Sequence, residues 1–345
     1  MQSTPLSQPK VSKPEVGPPP GPSLWQRFVG RPEFGPLILL IVEIVVFASM
    51  SSTFLSTGNI SNLLAFTPEL GIIAIGMTLL MTSGEFDLSV GSVFGFAPVV
   101  MWTLYNVNGL PLEVGFLVAM AAAIFIGLAN GWFVTILRIP SFLVTLGMLL
   151  VVRGSALYIT DGFPQGRWQA DSPLMGILAG QFSVGDLRLY TTFLWFIGFA
   201  IVLGYLLTQT RVGNWIQSSG GNPNAARARG VRVTRTKIGL FILTSVLAAF
   251  AGIASSIRVS TANPNSGTGY ELEVIAMVVI GGTALTGGRG TIIGTVLGVL
   301  ILRLMRNGIV MVGVPGLAYN IFIGAIILGM MSLHSWLERR HHSGT

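Results

Sequence analysis

Residues 112–136 read LEVGFLVAMAAAIFIGLANGWFVTI, and the only charged side chain among them is Glu113, at the start. A helix needs about 20 consecutive apolar residues to cross the hydrocarbon layer of a bilayer, and this run supplies them. Similar runs lie near 36–55, 66–84, 88–106, 141–160, 190–209, 238–258, 271–287, 291–312 and 315–333, which makes ten in all. The expected fold is therefore all-α, a polytopic transmembrane helical bundle of about ten spans.

The composition leads to the same class. Of 345 residues, 51% are hydrophobic and 10% charged, whereas a soluble domain carries about 25% charged residues. Forty-four glycines fit helices that pack closely in lipid, and they argue against a soluble all-β protein. The formal charge of +7 does not indicate nucleic acid, because Lys and Arg cluster between the apolar runs and form no amphipathic stripe. With no cysteine, disulfides, thiolate metal sites and cysteine nucleophiles are excluded.

Charge orients the bundle, since segments on the cytoplasmic side carry the Lys and Arg excess. Lys10, Lys13, Arg27 and Arg31 precede the first run, and Arg339 and Arg340 follow the tenth. Arg211, Arg227, Arg229, Arg232, Arg235 and Lys237 follow the sixth. Both termini and the 210–237 segment are expected in the cytoplasm, with Asp161–Arg188 as the largest external loop. Residues 1–30 are expected to be a disordered cytoplasmic tail without a signal peptide, because Pro, Ser and Gln dominate up to Ser23. Residues 31–335 form the membrane domain and 336–345 a short cytoplasmic tail. A weak internal repeat is also legible at an offset of about 203 positions, pairing Glu69-Leu70 with Glu271-Leu272 and Gly91 and Gly95 with Gly294 and Gly298.

Two motifs carry the candidate sites. Between the second and third runs stands Gly84-Glu85-Phe86-Asp87-Leu88-Ser89-Val90-Gly91-Ser92. Glu85, Asp87, Ser89 and Gly91 mark either a helix break lining a solute path or an interfacial turn in which Asp87 or Ser89 caps the third span. Glu43 and Arg153 lie inside apolar runs without a carboxylate–His chain, so each reads as a residue facing the bundle interior or reaching to the interface. The second motif is Asn222-Pro223-Asn224-Ala225-Ala226-Arg227-Ala228-Arg229-Gly230. Asn222 is a favoured N-cap, Pro223 suits the first helical position and Gly230 the left-handed stop. A two-turn helix is marginal alone in water, so a docking partner or the bundle itself must hold it.

The stretch from Gly213 to Gly230, the run Ala262-Asn263-Pro264 with Gly267, Gly269, Tyr270, Glu271 and Leu272, and Gly281-Gly282-Thr283-Ala284-Leu285-Thr286-Gly287-Gly288-Arg289-Gly290-Thr291 resemble the ribose/xylose-type simple-sugar permeases of ABC importers. Asp87–Ser92 and Ser141–Gly147 match the same family, and the resemblance covers Leu37 to Leu328 in order. The chain departs from the family pattern at Glu85 and Phe86, where Gly and an aliphatic residue are usual.

The resemblance implies a ten-span permease of the bacterial inner membrane. It also implies a second permease copy, two cytoplasmic ATPase subunits and an external, periplasmic solute-binding protein that delivers a sugar. Asn222, Pro223, Ala225, Ala226, Arg227, Arg229 and Gly230 fall on the family's ATPase-contacting segment. In that reading Ala225 and Ala226 let the helix approach the ATPase groove. No phosphate-binding G-x-x-x-x-G-K-[ST] loop is present, so no cofactor is expected on this chain, and ATP with Mg falls to the partner ATPase. The other readings are an ion-coupled secondary transporter working through Glu43, Glu85 and Asp87, and a related permease for nucleosides or branched-chain amino acids.

Overall fold

The computed structural model describes residues 33–165, 170, 172–319 and a few positions between 321 and 329. The expected tails at 1–30 and 336–345, and much of the tenth apolar run, lie outside the described residues. The helices are α1 (Phe34–Met50), α2 (Thr57–Thr82), α3 (Val90–Asn106), α4 (Leu112–Thr135), α5 (Ser141–Ile159) and the short α6 (Pro173–Ala179). A hairpin follows, β1 (Gln181–Val184) and β2 (Leu187–Tyr190). Then come α7 (Thr191–Gln209), α8 (Arg211–Gly221), α9 (Pro223–Ala228), α10 (Val233–Val259), α11 (Tyr270–Ile280) and α12 (Ile292–Met311), with a 3-10 turn at Gly316–Ala318.

Among the described residues six helices are long and apolar enough to cross a membrane: α2, α4, α5, α7, α10 and α12. Helices α1 and α3 have 17 residues each. The second expected span begins earlier than its apolar run, because the Ser56 hydroxyl accepts the Asn59 N–H at 3.4 Å and starts α2 at Thr57, with Pro68 inside the helix.

Helices α2 and α10 form the centre. Helix α10 packs on α2, α3 and α4, while α12 packs on α1, α2 and α11. Close packing of α4 on α10 depends on Gly127 and Gly131, where an added Cβ would strike the backbone at Phe241–Ile242 and at Ile238. The outer faces of α1, α4, α5 and α7 present Val45, Leu117, Phe125, Leu150, Val151 and Ile201 outward, as a lipid-facing surface would.

Two features depart from the expected run of simple helices. The first is the hairpin, which pairs Gln181 with Tyr190 and Val184 with Leu187 across Gly185-Asp186, with Gly185 at φ 60°. A Gly-led two-residue loop between alternating apolar strands is a hairpin signal. Arg188 N–H donates to Ser61 Oγ at 3.0 Å and docks the hairpin on α2.

The second departure is the expected span at 271–287, where the helix is only 11 residues long. At 1.5 Å per residue α11 covers about 17 Å. The pair Gly281-Gly282 ends it, with Gly282 at φ 92°, and irregular chain flanks it at 260–269 and 281–291. Irregular backbone at depth survives only where protein satisfies its polar groups. Arg153 on α5 does this for the first flank, donating through Nη1 to the carbonyls of Pro264 (2.5 Å) and Ser266 (2.7 Å) and through Nη2 to that of Gly91 (3.1 Å). Arg153→Lys keeps the charge but loses the planar fork. We expect it to lower stability by about 1–2 kcal/mol through the lost carbonyl bonds, read as a lower thermal midpoint of the detergent-solubilised protein. An unchanged midpoint would remove Arg153 as the strut of α11.

Candidate functional site

The segment after α7 was expected as a loop with one short helix, and it holds two. In α8 the Thr210 hydroxyl accepts the Gly213 N–H at 3.3 Å. Asn222 then serves both helices. Its N–H closes α8 on Ser218 O at 3.1 Å, and its Oδ1 caps α9 by accepting the Ala225 N–H at 3.0 Å. Pro223 follows at the first helical position. The helix ends when Gly230, at φ 83°, turns left-handed, Gly230 N–H reaches Arg227 O (3.0 Å) and Val231 N–H reaches Ala226 O (3.0 Å). This paired 5→2 and 6→1 closure satisfies the orphan carbonyls of the last turn.

The sides of α9 do not divide as the sequence reading expected. Ala226 is 3% exposed and faces the bundle, so it cannot meet an external groove. The exposed positions are Asn224, Ala225, Arg227, Ala228 and Arg229. An i, i+1 alanine pair must place its two members on different faces of a helix, and only burial decides which one is inside.

Immediately before α9 three connections meet backbone to backbone. Gly288 N–H donates to Thr82 O at 2.8 Å. A Cβ on Gly220 would collide with Thr82 O and Gly288 N, and one on Gly287 would collide with Gly84. The glycines of 281–291 therefore bring the end of α2 and the break before α9 into direct contact.

The Glu85–Ser92 stretch lies beside this junction. Glu85 makes an ion pair with Lys237 near the start of α10, Nζ to Oε1 2.6 Å. Asp87 is fully buried and does not cap α3 in the usual way, since Ser89 occupies the N-cap position with no side-chain cap bond. Asp87 Oδ1 instead accepts the Ser89 N–H (2.7 Å) and Ser89 O–H (2.5 Å), and Oδ2 accepts from Asn130 Nδ2 (3.2 Å). Asn130 also donates to Ser89 Oγ at 3.0 Å. Burial raises the Asp87 carboxyl above its ordinary range, and the bonds from Ser89 and Asn130 pull it back. Gly91 lies where a Cβ would strike Glu271 and the Gly267 carbonyl. The four residues thus divide between a partly buried clamp (Glu85), a buried polar knot (Asp87, Ser89) and a close contact with the α11 flank (Gly91).

Several polar residues of consequence were not among the site residues chosen from sequence. Asn130, fully buried on α4, completes the Asp87 knot; a lone amide in an apolar helix was the available signal. Glu69 on α2 pairs with Arg258 of α10 at 2.5 Å, and the Arg258 guanidinium lies 4.0 Å over the Phe66 ring. Tyr319 donates to Glu273 at 2.8 Å, and Arg303 donates to the Phe66 carbonyl at 2.8 Å. Glu43, read as facing the bundle interior or reaching to the interface, is 6% exposed, and neither of its carboxylate oxygens has a partner among the described residues.

Residues 59–331 match the family model described as the permease component of branched-chain amino acid transport systems. The chain belongs to this permease family. It is 36% identical over 297 residues to the ribose import permease protein of Escherichia coli K12, covering 85% of this chain and 90% of that one. It is 33% identical over 318 residues to the xylose/arabinose import permease protein of Sulfolobus acidocaldarius, covering 90% and 87%. With the xylose transport system permease protein of Escherichia coli K12 it shares 30% over 361 aligned positions, covering 88% and 92%. No solved structure matches. As a permease of ABC importers the chain is a transport component rather than an enzyme, and it is a multi-pass membrane protein.

Proposed function

We propose that this permease carries a pentose or a similar simple sugar across the inner membrane of a bacterium, driven by a separate ATPase that holds ATP and Mg, and fed by an external binding protein. The carrying observation is the near end-to-end match to permeases whose names specify ribose, xylose and arabinose. In this reading two permease copies pair around the path, and each contributes ten crossings. The six long helices are joined by α1, by α3, by α11 continued through residues 260–269, and by the apolar run at 315–333. The α9 end of the bundle faces the cytoplasm because Arg227, Arg229, Arg232 and Arg235 lie there.

The test is uptake into vesicles holding the permease, its ATPase and its binding protein. ATP-dependent accumulation of labelled ribose or xylose is expected. Accumulation of leucine instead would overturn the sugar, and uptake that survives ATP depletion but collapses with the ion gradient would overturn the ATPase.

Orientation has its own check. The natural chain lacks cysteine, so one placed at exposed Phe163 should react with an impermeant reagent from outside, and one at Asn224 only after permeabilisation. The reverse pattern would invert the assignment of every loop.

A further inference from the structure

A cleft of about 340 Å³ opens beside α9, walled by Glu85, by Val134, Thr135 and Arg138 at the end of α4, by Asn224 and Arg227 of α9, and by Val233, Thr234 and Lys237 of α10. Its lining holds three cations, Arg138, Arg227 and Lys237, against the single carboxylate of Glu85. Arg227 donates to a neutral partner, the Asn224 amide oxygen at 3.2 Å. The wall is thus two positive charges in excess, and Coulomb attraction in a partly enclosed cleft is stronger than in open water.

We propose that this cleft receives an acidic side chain of the partner ATPase, and that the incoming carboxylate competes with Glu85 for Lys237. The inference rests on the reading above, in which the ATPase docks at α9. The cleft is a second contact, beyond the exposed face of α9. An ATPase carboxylate fits better than an anionic lipid headgroup because one wall is α9 itself, whose Asn224 and Arg227 stand exposed at the end of the bundle.

The consequence follows from chain connectivity. Glu85 is two residues from Asp87, so one short stretch is clamped twice, first to α10 through Lys237 and then to α4 through Asn130. A rival carboxylate opens the first clamp and leaves the second closed. The connection between α2 and α3 is then tied to the bundle through α4 and is released from α10. ATPase docking is in this way reported to the start of α3, which lies against the flank of α11 at Gly91.

The test measures affinity of the full-length permease for its purified ATPase in nanodiscs of neutral lipid. Glu85→Gln and Lys237→Gln break the same ion pair but must act in opposite directions. Glu85→Gln removes the competitor and should tighten ATPase binding about fivefold, while Lys237→Gln removes the shared cation and should weaken it about tenfold, both effects shrinking at high salt. Arg138→Gln, at an exposed site, should weaken binding by several-fold without altering the thermal midpoint.

If both ion-pair variants shift affinity the same way, or neither shifts it, the competition is wrong and the pair is a structural brace. If Arg138→Gln matters only in anionic nanodiscs, and there as lost lipid retention, the cleft belongs to a headgroup and the proposal fails. Failure of the unaltered permease to bind any ATPase would instead strike the importer reading itself.

Discussion

Asp87→Ala is expected to destabilise the permease by about 3–5 kcal/mol, whereas Asp87→Asn should cost about 1 kcal/mol or less. The asymmetry comes from the buried knot. Alanine leaves the Ser89 N–H, the Ser89 hydroxyl and one Asn130 amide hydrogen without the acceptor they now share, and each buried unsatisfied donor costs about 1–3 kcal/mol. Asparagine keeps Oδ1 for both Ser89 donors. Its new NH2 group replaces the oxygen that faces Asn130 Nδ2, so the Asn130 amide must flip and present Oδ1, which is buried and has no donor now. Burial already disfavours the charged carboxylate, so a neutral isostere suits the site. The effect exceeds the roughly 1 kcal/mol of a simple lost helix cap, which is what the capping alternative of the sequence reading implied. Thermal midpoints of the solubilised variants, measured beside sugar uptake, decide it. If both variants lose transport severely with midpoints like that of the unaltered protein, the carboxylate acts on solute or a cation and the knot is incidental.

Much of the fold was legible because its signals are local. Apolar runs of sufficient length named the helices, and the Asn222-Pro223 start and Gly230 stop named α9, since capping depends on neighbours a few residues apart. What could not be read depends on partners far along the chain. The salt bridge between Glu85 and Lys237 spans 152 positions and the Asp87–Asn130 bond 43, and no spacing rule links residues at such distances. Hydropathy also could not tell a full span from α11 with its irregular flanks. Leucine, isoleucine and valine keep the average high through 271–287, whereas the chain conformation is decided by Gly281-Gly282 and by the distant guanidinium of Arg153. The alanine pair 225–226 shows the same limit at the site itself. Sequence placed both on the helix, and only packing showed which one is available to a partner.

That division of α9 yields the sharpest test of coupling. Ala225→Trp places a large ring on the exposed face, where it touches nothing in the permease, so the protein's own thermal midpoint should stay unchanged. In a packed docking surface the same ring costs about 1–3 kcal/mol through overpacking, which corresponds to an affinity for the ATPase lower by about 5- to 150-fold. Ala226→Trp should behave in the opposite way. Its Cβ is already buried, so the ring must displace the bundle beneath α9, and the permease itself should melt earlier before any ATPase is added. Arg229→Ala removes only an exposed rim charge and should change binding by about 0–1 kcal/mol. Measuring ATP hydrolysis and sugar uptake on the same reconstituted vesicles separates the cases. With Ala225→Trp, either the complex assembles poorly or hydrolysis proceeds without matching transport. A fully coupled Ala225→Trp importer would mean that α9 is held by its own bundle alone and that the ATPase docks elsewhere.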